Sequence, residues 1–458
     1  MELTREQIYE QENQALADYF MEEYFYKIFR TPKPEKDSTT RIKNPRYLEL
    51  IISPKCNLGC NYCYIHHHKK DIFNECLFNA ESTLKNVQLV MEWMDKNNFV
   101  VPLEIFSGEL FAQEIGFQVL DIIYNYQSKL PYEKRVPYIT IPTNYTFICS
   151  DELTQRILDV YYKFQEIDIR ICFSASFDGK FMEQNRPYIG NLDIPIDVVR
   201  DDDYYEKAFT FIQKVNGGLH PMVYSKDIFL WKENFLWFQG MMEKYNIDWR
   251  HIYLLQVRNE EWSMEEIKGL QDFIEFLYDF AWNKCDQDPV KMSEFLINEM
   301  GFNLLAEPYN KCDRGLTCAI QSTLHIRASD LKIYPCHRLG YESFYCGELI
   351  PDDELVLKYK NNNIELFNLI CGVHKTYLPH CTACIVRDNC IGPCLGANYE
   401  SNKNMFVTPP TVCMVMHAIV TTSVKMMKKY NLFNPLYDLI DKGTMAGLEL
   451  VEKEISND

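Results

Sequence analysis

No apolar run in this 458-residue chain is long enough to span a bilayer, and its start, Met1-Glu2-Leu3-Thr4-Arg5-Glu6-Gln7, lacks the basic and apolar segments of a secretory signal. A cytoplasmic protein with no membrane partner is expected. Positive charge is also scarce: 47 Lys and Arg against 65 Asp and Glu give a formal net charge of −18, which argues against a polyanionic substrate. Nucleic-acid recognition needs a basic patch, and the most local one, Lys69-Lys70, is too short to supply it. Internal repeats and low-complexity tracts are missing too. What is left, 47% hydrophobic and 24% charged, is the composition of a globular protein with room for one large domain and a smaller one.

Cysteine is what the chain has in excess. Seventeen in a sequence without a signal are better explained by metal or redox chemistry than by disulfides, because cytosolic thiols stay reduced. Cys56, Cys60 and Cys63 fall in one short stretch after Ser53-Pro54-Lys55. Three thiolates at this spacing can hold an iron–sulfur cluster one ligand short, leaving an iron open to bind and reduce a small molecule. The alternative is a zinc knuckle, which wants a fourth ligand, and only His66, His67 and His68 are near. A solvated loop is the plainer use of that histidine run.

Residues 1–45 read as a helical N-terminal extension, with Tyr9, Ala15, Tyr19, Phe20, Tyr24 and Phe25 on a broad apolar face ended by Pro32 and Pro34. Six strands follow, near Tyr47–Ile52, Pro102–Phe106, Tyr138–Pro142, Ile169–Ser174, Leu219–Tyr224 and His251–Gln256. Amphipathic stretches lie between them: Leu84, Val87, Met91 and Met94 share a helical face, and Ser150 is placed to cap a helix from Asp151. This alternation predicts an α/β fold, a partial (β/α)6 TIM-like barrel over 46–262, with function at the C-terminal strand ends. The first cysteine motif sits at such an end. Residues 263–300 read as a helical connector. From 301 to 414 the pattern turns to Gly, Pro and Cys punctuation with ten cysteines, the mark of a small irregular domain built around metal. Residues 415–458 form a C-terminal helical tail with Met426, Met427 and Leu432 as packing residues.

Cys-x3-Cys-x-aromatic-Cys after a first barrel strand, with Tyr62 at the aromatic position, resembles the radical S-adenosylmethionine superfamily. The resemblance implies that the amine and carboxylate of S-adenosylmethionine chelate the open iron. One electron then cleaves the sulfonium to methionine and a 5′-deoxyadenosyl radical, which takes a hydrogen atom from substrate. It further implies cofactor contacts at three strand ends. Ser107, Gly108 and Glu109, followed by Leu110, stand where the family has Gly-Gly-Glu-Pro. Asn144 stands in Thr143-Asn144-Tyr145 for Thr-Asn-Gly, although Tyr145 replaces a glycine that tolerates positive φ. Ser174, Ser176 and Arg186 stand for the Ser-x-Asp-Gly then Arg pattern, here Ser174-Ala175-Ser176-Phe177-Asp178-Gly179 with one residue inserted.

The late cysteines, Cys312-x5-Cys318-x17-Cys336 and then Cys381-x2-Cys384-x5-Cys390-x3-Cys394-x18-Cys413, resemble the SPASM domain. By that resemblance Cys312, Cys318, Cys336 and Cys394 hold one auxiliary cluster, and Cys381, Cys384, Cys390 and Cys413 a second. The cofactors implied are S-adenosylmethionine and three 4Fe–4S clusters, one binding S-adenosylmethionine and two auxiliary. A departure is Leu331, where the family usually has glycine, with Asp330 before it to start the turn. Cys76, Cys149, Cys172, Cys285, Cys346 and Cys371 remain, read mostly as buried apolar-like residues.

Auxiliary clusters ligated fully by protein suit electron transfer and net oxidation of substrate. Enzymes of this type mostly modify peptides or proteins, so the expected activity is oxidative modification of a ribosomally synthesised peptide, a thioether or carbon–carbon crosslink, fed by a flavodoxin or ferredoxin. Formylglycine formation of the sulfatase-maturase kind and dehydrogenation of a small-molecule alcohol are the alternatives, and an iron–sulfur electron carrier is the non-enzymatic one. Sulfatase maturases place an acidic base after the third auxiliary cysteine; here His337 stands there, followed by Arg338, and is the candidate proton acceptor. The N-terminal 45 residues show no strand pattern for a leader-binding domain, so a separate leader-binding protein is a further expected partner.

Overall fold

The structure, a computed structural model, describes residues 45–248, 255–256, 260–300, 323–351, 356–361, 370, 378–390, 392 and 394–457. The N-terminal extension, most of the sixth expected strand, and Cys312, Cys318 and Cys371 lie outside the described residues. The chain divides into two compact units. The first comprises 1–175, 186–216 and 319–372; the second comprises 176–185, 217–318 and 373–458.

The first unit is built on a sheet whose centre is β1 (Tyr47–Ser53). Its apolar run, Leu48, Leu50, Ile51 and Ile52, is almost wholly buried, as a strand covered on both faces must be. On one side lie β2 (Leu103–Ser107), β3 (Tyr138–Thr143) and β4 (Arg170–Ala175), all parallel, with Leu48 opposite Leu103 and Ile139 opposite Ile171. These are the first four strands the sequence predicts. The crossovers carry α1 (Ala80–Lys96), α2 (Glu114–Gln127) and α3 (Asp151–Gln165). Each starts where a polar residue precedes an apolar period. Asn79 accepts from Ser82 N at 2.9 Å, and Ser150 from Leu153 N at 3.2 Å, a cap that contributes about 1 kcal/mol. Of the face read from the sequence, α1 buries Val87, Met91 and Met94 and leaves Leu84 half-buried. After β4 the unit adds α4 (Asp202–Val215), which ends on Asn216 in the left-handed region.

On the other side of β1 the sheet holds a strand from far along the chain. β5 (Thr323–Arg327) runs parallel to β1 with His325 opposite Glu49. It turns back into β6 (Lys332–Tyr334), followed antiparallel by β7 (Gly347–Pro351) and β8 (Leu357–Asn361). The stretch 323–361, which the sequence pattern assigns to the cysteine-rich segment, thus supplies four strands of this sheet. The β5–β6 turn needs a left-handed residue, and Leu331 takes it at φ +63°. Asp330 sets the turn, accepting from Arg327 Nε at 3.0 Å and from Lys332 N at 3.3 Å.

In the second unit the fifth expected strand is two short ones, Gly218–Leu219 and Met222–Val223, and Met222–Val223 pairs parallel with Leu255–Gln256. Helices dominate: α5 (Trp231–Tyr245), α6 (Met264–Lys284), α7 (Leu395–Asn402), α8 (Pro410–Lys429) and α9 (Lys442–Asn457). A reciprocal cap opens α6, with Ser263 accepting from Glu266 N and Glu266 from Ser263 N. α6 packs on α8, where Trp282 stacks on Tyr430 at 4.6 Å and Lys429 pairs with Asp279. Met426, Met427 and Leu432 are buried there as expected. Contrary to the expectation that no run is long enough, α8 is long and apolar enough for a membrane span, but 56% of its apolar window is buried within the protein, as in a core helix.

Candidate functional site

The register between β1 and β2 shifts between Ile51 and Ser53, a bulge that re-aims the chain just before the first cysteine loop. The loop after β2 is tied to it. Gly108 N donates to Ser53 O at 2.8 Å, Glu109 N to Lys55 O at 2.9 Å, and Ser107 Oγ to Ser53 O at 3.0 Å. A Cβ on Gly108 would sit 2.3 Å from Lys55 O and 2.5 Å from Pro54 O, so glycine is required by the approach of two backbones. Gln113 locks the junction: its Oε1 accepts from Ser53 Oγ at 2.7 Å while Nε2 donates to Glu109 O at 2.7 Å and Lys55 O at 3.1 Å.

Glu109 is buried and turns towards the end of β3. Oε1 accepts from Thr143 Oγ1 at 2.8 Å and Phe111 N at 3.1 Å, and Oε2 accepts from Asn144 N at 2.6 Å. Burial pushes this carboxyl up to about 7, against the pull of the Asn144, Thr143 and Phe111 hydrogen bonds. Asn144 links onward. Its Nδ2 donates to Asn57 Oδ1 at 2.8 Å and lies 3.7 Å from Cys56 Sγ; its Oδ1 accepts from Thr146 Oγ1, which in turn accepts from Asn57 Nδ2. Tyr145 adopts the left-handed conformation at φ +61°. The turn geometry of a glycine is kept at a cost of roughly 1–2 kcal/mol. Burial of the ring against Phe147 and Phe211, at 5.1 and 5.6 Å, offsets it.

Residues 57–59 are also held from the segment after Arg186. Gly59 N donates to Pro187 O at 2.8 Å and Ile189 N to Asn57 O at 3.0 Å, bridging Leu58 to Tyr188. That pairing sets the buried Arg186 guanidinium 4.0 Å from Cys60 Sγ and over the Tyr62 ring at 5.4 Å. Cys60 and Cys63 lie near enough to Cys56 for their charges to act on its thiol. Burial drives the Cys56 thiol far up, and the charges of Glu109, Cys60 and Cys63 raise it further, while a Leu58 N–H bond opposes them. Cys60 is buried and Cys56 and Cys63 are half-buried; a metal cluster bound there would take all three as thiolates. The histidine run does not complete a zinc site: His66 and His67 are exposed, His67 Nε2 bonds Asn61 O, and His68 Nδ1 lies 3.4 Å from Tyr341 Oη.

Ser174 lies half-buried near the end of β4. Ser176 belongs to the second unit, as do Asp178 and Gly179, whose turn there is structural: Asp178 Oδ1 accepts from Met222 N at 2.9 Å, and Gly179 has φ +103°.

A second buried polar group crosses the sheet. Glu104, Glu49 and His325 are register partners on β2, β1 and β5. Glu49 Oε1 accepts from His325 Nδ1 at 2.9 Å, and Oε2 accepts from His337 Nδ1 at 2.9 Å. The His337 ring stacks between Phe106 at 4.7 Å and Tyr64 at 5.5 Å, and the Arg338 guanidinium covers Tyr64 at 3.9 Å. Burial alone would raise Glu49, but the charges and hydrogen bonds of His337 and His325 hold its carboxyl well below the usual range. His337 is conversely raised: burial lowers it, and Glu49 more than compensates. Burial and the Glu49 charge push Glu104 up to about 7. The 2.9 Å separations are those of N–H···O bonds, shorter than the spacing of two ligands around one metal ion. Glu49 had one signal in the sequence, a lone charge inside an apolar strand; Gln113, Asn57, Thr146 and His325 had none.

Of the late cysteines, Cys336 falls in the first unit, where its charge and that of Cys63 both act on the buried Tyr64 hydroxyl. The other described ones, Cys381, Cys384, Cys390, Cys394 and Cys413, lie in the second. Cys384 N bonds Cys381 O, Cys390 Sγ accepts from Gly392 N at 3.3 Å, and Cys394 caps α7 through Ala397 N at 3.5 Å. Cys413, on α8, is raised by burial and by the Cys384 charge. Sulfurs that accept from backbone N–H groups, as those of Cys390 and Cys394 do, are suited to a thiolate-bound cluster. Of the remaining cysteines, Cys285 and Cys346 are buried, Cys149 and Cys172 half-buried, and Cys76 exposed.

The fold is α/β: a sheet whose central strands are parallel with helical crossovers, of the partial-barrel kind. Among solved structures it is similar to one described as native anSMEcpe with bound AdoMet, with 15% identity and a TM-score of 0.53 over 84% of this chain and 99% of that one. At this identity the likeness is one of fold. A second, described as HydG, a maturase of the FeFe hydrogenase, has 11% identity and a TM-score of 0.32 over 91% of this chain and 82% of that one. No family model and no curated protein matches the sequence.

Proposed function

We propose that the chain is a radical S-adenosylmethionine enzyme that oxidatively modifies a ribosomally synthesised peptide, by a thioether or carbon–carbon crosslink. The observation that carries this is that the loop bearing Cys56, Cys60 and Cys63 is bonded to the ends of β2 and β3, where the cofactor-contact positions stand. Cys56, Cys60 and Cys63 would hold a 4Fe–4S cluster; bound there with S-adenosylmethionine, it would supply one-electron cleavage to methionine and a 5′-deoxyadenosyl radical.

The protein's own groups orient and shield. Backbone carbonyls of the Ser107-Gly108-Glu109 turn are the acceptors for an amine, and Arg186 is the buried cation for a carboxylate. Glu109 and Asn144 keep the two loops in register, and Tyr62 backs Arg186. His337 is the proposed proton acceptor: Glu49 fixes Nδ1 as the donor, which leaves Nε2 as the basic atom. The eight late cysteines would hold two auxiliary clusters that remove an electron from substrate, and a flavodoxin or ferredoxin would supply the electron that starts the reaction.

The test is anaerobic reconstitution with iron and sulfide, then dithionite and S-adenosylmethionine. Formation of 5′-deoxyadenosine, abolished in Cys60→Ala, is the expected result; none after full iron loading refutes the enzyme. Incubation with peptides encoded beside the gene should then give loss of two hydrogens by mass spectrometry. An unchanged mass with altered stereochemistry defeats the crosslink. His337→Gln should retain 5′-deoxyadenosine formation and lose the modified peptide.

A further inference from the structure

α8 carries Cys413 and, one turn later, His417 on the same face. Neighbouring residues Val415, Met416, Ile419 and Val420 are buried, so the helix has a fixed rotation. From it His417 Nε2 reaches to 3.3 Å of Cys384 Sγ. That distance is normal for N–H···S, and Cys384 and Cys413 are near enough for the charge of one to raise the other. The sequence-based ligand sets leave His417 without a part.

We propose that His417 donates its Nε2–H to the Cys384 sulfur and thereby raises the reduction potential of the auxiliary cluster held by Cys381, Cys384, Cys390 and Cys413. This rests on the cluster assignment made above. One-electron reduction adds a negative charge shared with the cluster sulfurs, and an N–H···S bond strengthens as its acceptor gains charge. The reduced form is therefore favoured over the oxidised one, a recognised way in which a protein sets a cluster potential. The electron comes from substrate oxidation in the forward reaction or from dithionite in the assay, and no proton need leave His417.

The experiment uses the full chain in a Cys56→Ala, Cys60→Ala, Cys63→Ala background, so that only auxiliary clusters assemble. Iron, sulfide and redox-poised EPR are measured with His417 intact, with His417→Phe, which keeps a ring but no donor, and with His417→Gln, which keeps a donor. In His417→Phe one of the two potentials should fall so that the reduced-to-oxidised ratio at a fixed poise drops about tenfold, about 59 mV for a one-electron couple. His417→Gln should recover part of that shift, with iron per chain unchanged in both. Equal potentials in all three proteins overturn the proposal. So does loss of one cluster's iron in His417→Phe with imidazole nitrogen coupling in the parent, because His417 would then be a ligand. A parent that assembles no cluster refutes the cluster assignment itself, and the proposal with it.

Discussion

Gly108→Ala tests whether the cofactor loop is built by backbone approach. The new Cβ would sit 2.3 Å from Lys55 O, 2.5 Å from Pro54 O and 2.6 Å from the Lys55 carbonyl carbon. All three are backbone atoms, so no side chain can swing away, and relief requires the two loops to part by about 1 Å. Overpacking of this kind costs roughly 1–3 kcal/mol. Parting the loops also stretches Gly108 N→Ser53 O and Glu109 N→Lys55 O, each contributing about 0.5–1.5 kcal/mol. The sum is about 2–6 kcal/mol, all at the junction that positions Cys56. Gly240 is the matched control: it lies inside α5 with nothing within 4 Å of an added Cβ. Gly240→Ala should be neutral or stabilising by up to about 1 kcal/mol. Anaerobic urea unfolding, with iron per chain after reconstitution, gives both readouts. Gly108→Ala within about 0.5 kcal/mol of the parent, and holding as much iron, would refute the close-approach reasoning.

Asn144→Ala strips two buried partners, Asn57 and Thr146, of their hydrogen bonds, and should destabilise by about 1–3 kcal/mol and lower iron retention at the first cysteine loop; full iron retention would count against the network. Tyr145→Gly relieves roughly 1 kcal/mol of left-handed strain and removes a buried aromatic worth roughly 3–5 kcal/mol. A thermal midpoint lower than the parent's is expected, and a higher one would mean that strain, not packing, dominates there. The Glu49–His337 pair makes stability depend on pH in two directions. Glu49, depressed in the fold, contributes above its ordinary carboxyl range and loses that contribution as pH falls through its folded value. His337, raised in the fold, contributes fully below its ordinary imidazole range and loses that as pH rises through its folded value. The pair is therefore most stabilising in mildly acidic solution. Glu49→Gln should flatten the parent's melting profile between pH 4 and 9 and cost roughly 3–5 kcal/mol at its maximum; parallel profiles would show that the pair does not titrate with folding.

Spacing within a few residues is what a sequence displays, and the cysteine loop after Ser53 was legible for that reason. So were the four parallel strands, whose apolar runs alternate with capped helical periods such as Asn79–Lys96 and Ser150–Gln165. The groups that hold the loop in place were not, because each meets its partner across a long stretch of chain. Gln113 lies 60 residues from Ser53, Asn57 lies 89 from Thr146, and His325 lies 276 from Glu49. No local period encodes such pairs; the register of parallel strands creates them. β5 shows the same limit at the level of an element, since Thr323–Arg327 is a short apolar-polar alternation that nothing nearby assigns to the outer edge of β1. Tyr145 and Leu331 are the informative middle case. At both positions a non-glycine residue marks a doubtful turn by sequence, and at both the chain adopts the left-handed conformation with the side chain buried. Local strain of about 1–2 kcal/mol yields to the larger gain from burying an aromatic or leucine side chain. A glycine motif read strictly would have discarded the β3 turn, whereas the same turn weighed against the packing open to its side chain is retained, along with the Asn144 contact that reaches Cys56.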